Sequence, residues 1–468
     1  MQRRTFLGSL GAATAARAWQ PAPMNIVFIL ADDLGWSDLA CYGADLHETP
    51  NIDRLAAEGV RFTDAHSASP VCTPTRASIM TGKHPARLGM TIWYESTATP
   101  PQDRKLIPPV VRGNLPLEEK TIAEICKERG YLTAAVGKWH LGDANHYPET
   151  QGFDINIGGS HWGAPETYYY PYRGMHRFRE FRYMPRLDMG KPGEYLTDRL
   201  TDEALRVIDY AGNLPFFLYL AHHAPHTPIE APAALVEHYQ RKLRPEMKHQ
   251  NPVTAAMIHN LDQNVGRVAA RLREKELLDR TLIVFTSDNG GYTAPFAGKQ
   301  VTSNSPLRSG KGSAYEGGVR VPLIARMPGG RRGVTCSQPT ISTDLFATMQ
   351  EIAGASGPVH DGVSLAPLLR NENAPFAERE LYFHYPHYYV TTSPVSAIRS
   401  GPWKLLHYFE DDQVELFRLD RDLAESQDLV SQEPGTAARL KRKLGEWLKS
   451  VNAPMPAKNP KWVPKPGA

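Results

Sequence analysis

Four short apolar runs along this chain each stop abruptly at polar residues, and that pattern restricts the fold more than anything else in the sequence. The run from Asn25 to Ala31 ends in Asp32 and Asp33, and that from Tyr131 to Val136 ends in Gly137, Lys138, Trp139 and His140. The run from Pro215 to Ala221 is followed by His222, His223 and His226, and the one beginning at Leu282 by Asp288, Asn289 and two glycines. A continuous apolar run of this length reads as a strand covered on both faces, the habit of a parallel sheet. Helical spacing from about 49 to 60, 121 to 129, 196 to 211 and 254 to 275 supplies the covering layers. The predicted class is α/β, a large, mostly parallel sheet flanked by helices. Such sheets bind ligands at the carboxyl ends of their strands, where all these polar residues fall.

Length and charge narrow the reading. At 468 residues the chain holds one large domain or two modest ones. Its net charge of +3 gives no global field toward nucleic acid. Met1 to about Ala18 has the pattern of a cleaved export signal, with Arg3 and Arg4 before Phe6 and Leu7 in twin-arginine style. Cleavage near Ala18 would deliver the protein to the periplasm or the outside. No later run reaches the length of a membrane span. From about Glu378 the runs become short and alternating, then a helix from about Thr436 to Val451 follows. Residues 376–468 therefore read as a smaller antiparallel sheet with one covering helix, beside a domain over 19–375. The four cysteines, Cys41, Cys72, Cys126 and Cys336, form no Cys-x-x-Cys pair, which argues against zinc.

Two adjacent carboxylates at a buried strand end repel each other unless a cation joins them. Asp32, Asp33, Asp288 and Asn289 make an all-oxygen set, suited to Ca2+ or Mg2+. Lys138 with His140, and His226, are the candidate polar groups for substrate, while Lys311 in Gly310-Lys311-Gly312 stands in a turn without the spacing of a phosphate loop. Residues 152–191 lack periodicity and carry Trp162, Tyr168, Tyr169, Tyr170, Tyr172, Phe178 and several arginines. They are expected to form a wall of the substrate site, stacking on sugar rings; a lid packed on its own side chains is the alternative.

The segment from Val71 to Gly82 is the most unusual. Cys72 stands two residues before Pro74 and four before Arg76, at the start of a predicted helix. Thr73 or Thr75 is expected to cap that helix, turning backbone N–H groups and the positive end of its dipole toward the thiol. Arg76 adds a permanent charge, so the site favours anions.

The Cys72-Thr73-Pro74-Thr75-Arg76 segment with its following Thr81-Gly82 resembles the signature of the type I sulfatases, in which the cysteine becomes formylglycine. Thr75 stands where most members carry Ser. The resemblance extends, in order, through Asp32-Asp33, Gly-Lys-Trp-His, Pro-His-x-Pro, Asp-Asn-Gly and the Gly-Lys-Gly segment. It implies an alkaline-phosphatase-like fold and a sulfuric ester hydrolase matured by a formylglycine-generating enzyme. It further implies that Asp32, Asp33, Asp288, Asn289 and modified residue 72 hold the cation. Arg76, Lys138, His140, His226 and Lys311 would line the sulfate pocket, with Ser160 a further substrate contact. In the implied chemistry the hydrated aldehyde at 72 attacks sulfur, His226 with Lys311 protonates the leaving alcohol, and His140 takes a proton from the second hydroxyl. A sulfated carbohydrate is the expected substrate, with aryl sulfates as surrogates. A metal-dependent phosphoesterase with an unmodified nucleophile and a silent glycan-binding protein are the alternatives.

Overall fold

The computed structural model describes residues 23–97, 101–176 and 179–463. The expected export signal and Phe178 lie outside them. Eight strands form the central sheet: β1 (Asn25–Ala31), β2 (Val60–Phe62), β3 (Leu132–Gly137), β4 (Ile155–Ile157), β5 (Phe216–Ala221), β6 (Thr281–Ser287), β7 (Leu323–Arg326) and β8 (Val334–Cys336). Their order is β8-β2-β7-β6-β1-β5-β3-β4. Only β7 runs against its neighbours. The strands whose polar ends were singled out, β6, β1, β5 and β3, are consecutive across the middle of the sheet.

Alternation along β1 shows why both faces are apolar. Ile26, Phe28 and Leu30 enter one core with α2 (Cys72–Thr81), α3 (Ile122–Glu128) and α6 (Thr343–Ile352). Val27, Ile29 and Ala31 enter the other, with α1 (Pro50–Ala57), α4 (Leu196–Ala211) and α5 (Pro252–Glu274). Each fully buried Ile, Leu, Val or Phe contributes about 1.5–3 kcal/mol, so a one-residue register slip, which exchanges every side chain between faces, is strongly disfavoured. Local chemistry sets the helix ends. Asn251 caps α5 by accepting from the N–H groups of Val253 and Thr254, with Pro252 in the first turn. Thr121 and Glu124 form a reciprocal capping box on α3.

The second sheet is a meander of β9 (Glu380–Tyr385), β10 (Val395–Ser400), β11 (Trp403–Tyr408) and β12 (Gln413–Arg418), antiparallel throughout. One face, with Phe383, Tyr385, Ala397 and Leu406, packs on Ala68, Val71, Ala314 and Val319 of the larger part. The other, with Ile398, Leu405 and Leu416, is covered by Leu440, Leu444 and Leu448 of α7 (Pro434–Ser450). Two segments that lead into the strand-end cluster, the turn before Cys72 and the Gly310–Val319 stretch, are thereby clamped between the sheets. Among the described residues no helix is long and apolar enough to cross a membrane, and the four cysteines are unpaired.

Candidate active site

Backbone hydrogen bonds tie the four strand ends together before any side chain contributes. Asp32 N donates to Ala224 O, His222 N to Leu30 O, Lys138 N to Ala221 O and Asp288 N to Ala31 O. Gly290 must be glycine, because a Cβ there would run into the carbonyl of Gly317. Asp33 and His140 sit at φ 64° and 59°, in the left-handed region that non-glycine residues seldom adopt. Such strain costs on the order of 1–3 kcal/mol and persists where surrounding structure imposes it, commonly at functional sites.

α2 delivers Cys72 into this cluster as its first residue, and all ten of its residues are buried. The expected threonine cap is not formed. Val71 is the N-cap without a side-chain bond, while Thr73 donates to His140 O at 2.9 Å and Thr75 to Ser69 O at 2.9 Å. Both hydroxyls pin the helix to neighbouring loops, so its first N–H groups are left to whatever residue 72 carries. The Cys72 Sγ lies 3.3 Å from His140 Nδ1. Burial opposes ionisation of this thiol, but Lys138, His140 and Lys311 outweigh it and bring it down to about 6.

The carboxylates are held by the cations expected around them. Lys138 Nζ donates to Asp32 Oδ2 at 2.6 Å, and Lys311 Nζ reaches both Asp33 oxygens at 2.8 Å. Arg76 is fully buried; its Nε donates to Asp288 Oδ2 and its Nη1 to Lys138 O, both at 2.8 Å. Asn289 Nδ2 donates to Asp33 Oδ1 at 2.7 Å. Burial raises the Asp32 carboxyl well above its ordinary range, with Asp288 and Asp33 adding to the rise against Lys138 and Arg76. Burial acts the same way on Asp33, yet Lys311 and His226 hold it below the usual carboxylate range. His226 lies 3.5 Å from Asp33 Oδ2 through Nε2 and donates from Nδ1 to Thr227 O. Burial, then Lys311, pushes it down to about 3, so Nε2 carries a lone pair in this state and Lys311 holds the protons beside it.

Asp32, Asp33 and His226 bring ligand atoms within 4.8 Å of one another. Asp32 Oδ1 and Asn289 Oδ1 are buried oxygens without a hydrogen-bond partner. An orphaned buried acceptor costs about 1–3 kcal/mol, and two of them in an all-oxygen cluster fit a hard divalent cation.

One participant was invisible in the sequence. Glu95, in the short 3-10 turn Tyr94–Ser96 beyond α2, accepts from His140 Nε2 at 2.6 Å and from Gly163 N at 2.9 Å. Burial works against its ionisation, but His140 holds it well below the usual carboxylate range. His140 in turn is desolvated, yet Glu95 and Cys72 raise it above an ordinary histidine. Ser160 lies beside this pair, its carbonyl accepting from His140 N at 2.9 Å.

The ring-rich insertion splits into two roles. Tyr168 and Tyr172 are buried in the core, and the Tyr168 hydroxyl donates to the carbonyls of His223 and His226. Tyr168 thus braces the histidine loop from behind and Tyr172 bonds Glu194 at 2.6 Å, so these two rings are packed inside and do not form the expected wall. Trp162 does line an opening. With Tyr94, Glu95, Asn114, His161 and Glu180 it bounds a cavity of about 430 Å³ next to the His140–Glu95 pair. Arg182 stacks over Trp162 at 5.3 Å.

Residues 24–355 match the model of the sulfatase family, and 310–453 match the C-terminal part of N-sulphoglucosamine sulphohydrolase. The chain belongs to the sulfatase family. Human arylsulfatase A is 33% identical, over 94% of this chain and 85% of its own length. A sulfatase of Formosa agariphila is 32% identical, over 94% and 92%. The crystal structure of Ps i-CgsB is 30% identical, with a TM-score of 0.78 over 94% of this chain and 95% of that one; the same protein has been solved in complex with k-i-k-neocarrahexaose. This sulfatase accordingly has the alkaline-phosphatase-like fold and is a sulfuric ester hydrolase.

Proposed function

We propose that this sulfatase removes sulfate from carbohydrates, using a formylglycine made from Cys72 and a bound divalent cation, Ca2+ or Mg2+. The reading is supported by the nearness of Cys72, at the first turn of a buried helix, to His140, Lys138 and Lys311, beside the Asp32, Asp33 and His226 cluster. Asp32, Asp33, Asp288, Asn289 and residue 72 would hold the cation, which when bound draws charge from the ester oxygens. Formylglycine supplies an aldehyde whose hydrate carries two hydroxyls, one more than a serine.

The chain's own groups have distinct tasks. Lys138 and Lys311 neutralise charge that develops on sulfate oxygens in a site closed to water. Arg76 fixes Asp288 and the Lys138 backbone, keeping both in place as the substrate enters. His140 takes up a proton on the side of residue 72. Lys311 faces the leaving oxygen with its protons, and an anionic ester beside His226 supplies the counter-charge that lets Nε2 of that ring hold one too. Ser160 would stand at the substrate's edge. A sugar is preferred over a simple aryl group because the adjoining cavity is lined by Tyr94, His161 and Trp162. Flat rings beside hydrogen-bonding groups suit a pyranose. The related Ps i-CgsB, solved with a neocarrahexaose, supports the same preference.

Maturation would require a formylglycine-generating enzyme, and Met1 to about Ala18 would direct export to the periplasm or beyond. Residues 19–375 would form the catalytic domain and 376–468 the smaller subdomain. Parallel assays on defined sulfated sugars, an aryl sulfate and matching phosphate esters, each with and without chelator, test the reading. Chelator-sensitive release of sulfate from a sugar is expected. Efficient turnover of the aryl sulfate with every sugar refused would defeat the carbohydrate assignment, and preference for phosphate would defeat the sulfatase chemistry.

A further inference from the structure

The proton-accepting role of His140 depends on which ring nitrogen faces residue 72 with a lone pair, and the surroundings of that ring fix the answer. Its Nδ1 lies 3.3 Å from the side chain of residue 72 and its Nε2 lies 2.6 Å from Glu95 Oε2. The backbone is held on both sides, His140 N donating to Ser160 O and His140 O accepting from Thr73, each at 2.9 Å. The ring edge rests against Gly163, where a Cβ would collide with the imidazole. Gly163 N donates to the second oxygen of Glu95. The Glu95 side chain is one-fifth exposed and that of His140 nearly sealed.

We propose that Glu95 is a positioning residue for His140, an inference that rests on the sulfatase reading above. A carboxylate is an acceptor at both oxygens, so in the neutral ring Nε2 carries the hydrogen and Nδ1 is left with its lone pair toward residue 72. A proton leaving a hydroxyl of residue 72 then passes to Nδ1, and the resulting imidazolium is paired with Glu95. The order nucleophile, base, carboxylate follows the general logic by which a third group orients a catalytic base. An amide cannot replace the carboxylate. In Glu95→Gln, accepting from His140 turns the amide's own donors against Gly163 N–H. Accepting from Gly163 instead turns those donors toward Nε2 and drives the ring proton to Nδ1, the wrong side.

The test uses the matured full-length protein with a small aryl sulfate, which leaves the neighbouring cavity unfilled. Glu95→Gln is expected to lower kcat by about 10²-fold or more, with KM within about threefold and unfolding temperature, residue-72 modification and metal content unchanged. In 15N-histidine spectra at pH 9, the His140 signal, identified by its loss in His140→Gln, should show an unprotonated Nδ1 in the wild type and a protonated Nδ1 in Glu95→Gln. Gly163→Ala, which pushes on the ring while keeping the N–H that bonds Glu95, should also lower kcat more than it raises KM. A kcat within threefold of wild type, a rise in KM alone, or a protonated Nδ1 in the wild type overturns the proposal. Should Glu95→Gln fail to fold, the wild-type spectrum decides. A wild type with the expected Nδ1 state that turns over no sulfate ester removes the sulfatase reading and leaves the tautomer assignment standing.

Discussion

The ammonium of Lys138 lies 2.6 Å from Oδ2 of Asp32, and both side chains are completely buried. The other oxygen of Asp32 has no partner, and burial with the neighbouring Asp288 and Asp33 raises this carboxyl well above its ordinary range. A divalent cation entering the cluster favours the ionised form of that carboxyl and so opposes proton binding there. Calorimetric titration of the metal-free protein with Ca2+ or Mg2+ in buffers of different ionisation enthalpy should reveal net proton release on binding. Affinity should therefore rise with pH. Binding without proton release would contradict the charge distribution drawn for Asp32.

Arg76 carries a structural load in addition to its proposed place in the sulfate pocket. Its guanidinium joins Asp288 to the Lys138 carbonyl with no exposure to solvent. Arg76→Ala leaves a buried carboxylate unpaired and should cost about 3–5 kcal/mol in denaturant unfolding. Arg76→Lys keeps the charge but lacks the fork needed to reach both partners, and should lose an intermediate amount. Equal stability of all three proteins would show that the pair is not formed.

In the proposed carbohydrate reading, Trp162 would contact the sugar and not the sulfate. Its ring lines the cavity beside Glu95 while Arg182 stacks on it. Trp162→Ala should reduce kcat/KM on a sulfated oligosaccharide by about 10-fold or more, the loss of roughly 1.5 kcal/mol of ring stacking, and change turnover of a small aryl sulfate little. Equal losses on both substrates would place the defect in the sulfate pocket instead.

A buried Lys404 beneath the second sheet is shared by Glu316 and Glu425, at 2.7 and 3.0 Å. Burial is the main cause that lifts the Glu425 carboxyl to about 7; Lys404 opposes the rise and Glu316 adds to it. A folded-state value above the unfolded one means full benefit at pH below about 4.3 and a loss of stability as pH climbs through 7. Glu425→Gln mimics the protonated form at every pH. Its unfolding temperature should gain on the wild type between pH 5 and pH 8, by the equivalent of about 2 kcal/mol. Parallel curves would contradict the assignment.

The strand ends were legible because a buried parallel strand has no reason to finish in Asp-Asp, Lys-x-His or Asp-Asn unless those groups are used. Their adjacency follows from strand order, which the sequence did not reveal but which puts β6, β1, β5 and β3 side by side. Glu95 could not be read: it stands in an aperiodic loop, and its partners His140 and Gly163 come from two other segments. Asp38 could not be read for the same reason. It is buried 3.3 Å from His249, which bonds Asp45 on its other side, so a residue more than two hundred positions away stabilises the turn after β1. The threonine cap failed on a rival that local rules omit, since Thr73 and Thr75 found tertiary acceptors. In the aromatic insertion, composition alone could not separate Tyr168, which supports the histidine loop, from Trp162, which faces the cavity.

The central claim is that residue 72 works as an aldehyde. Mass spectrometry of the peptide containing it, on preparations matured to different extents and assayed in parallel on one sulfate ester, measures this directly. The account predicts a peptide that has lost the elements of hydrogen sulfide and gained one oxygen, with activity proportional to its fraction. Full activity in protein whose Cys72 thiol is intact would contradict it.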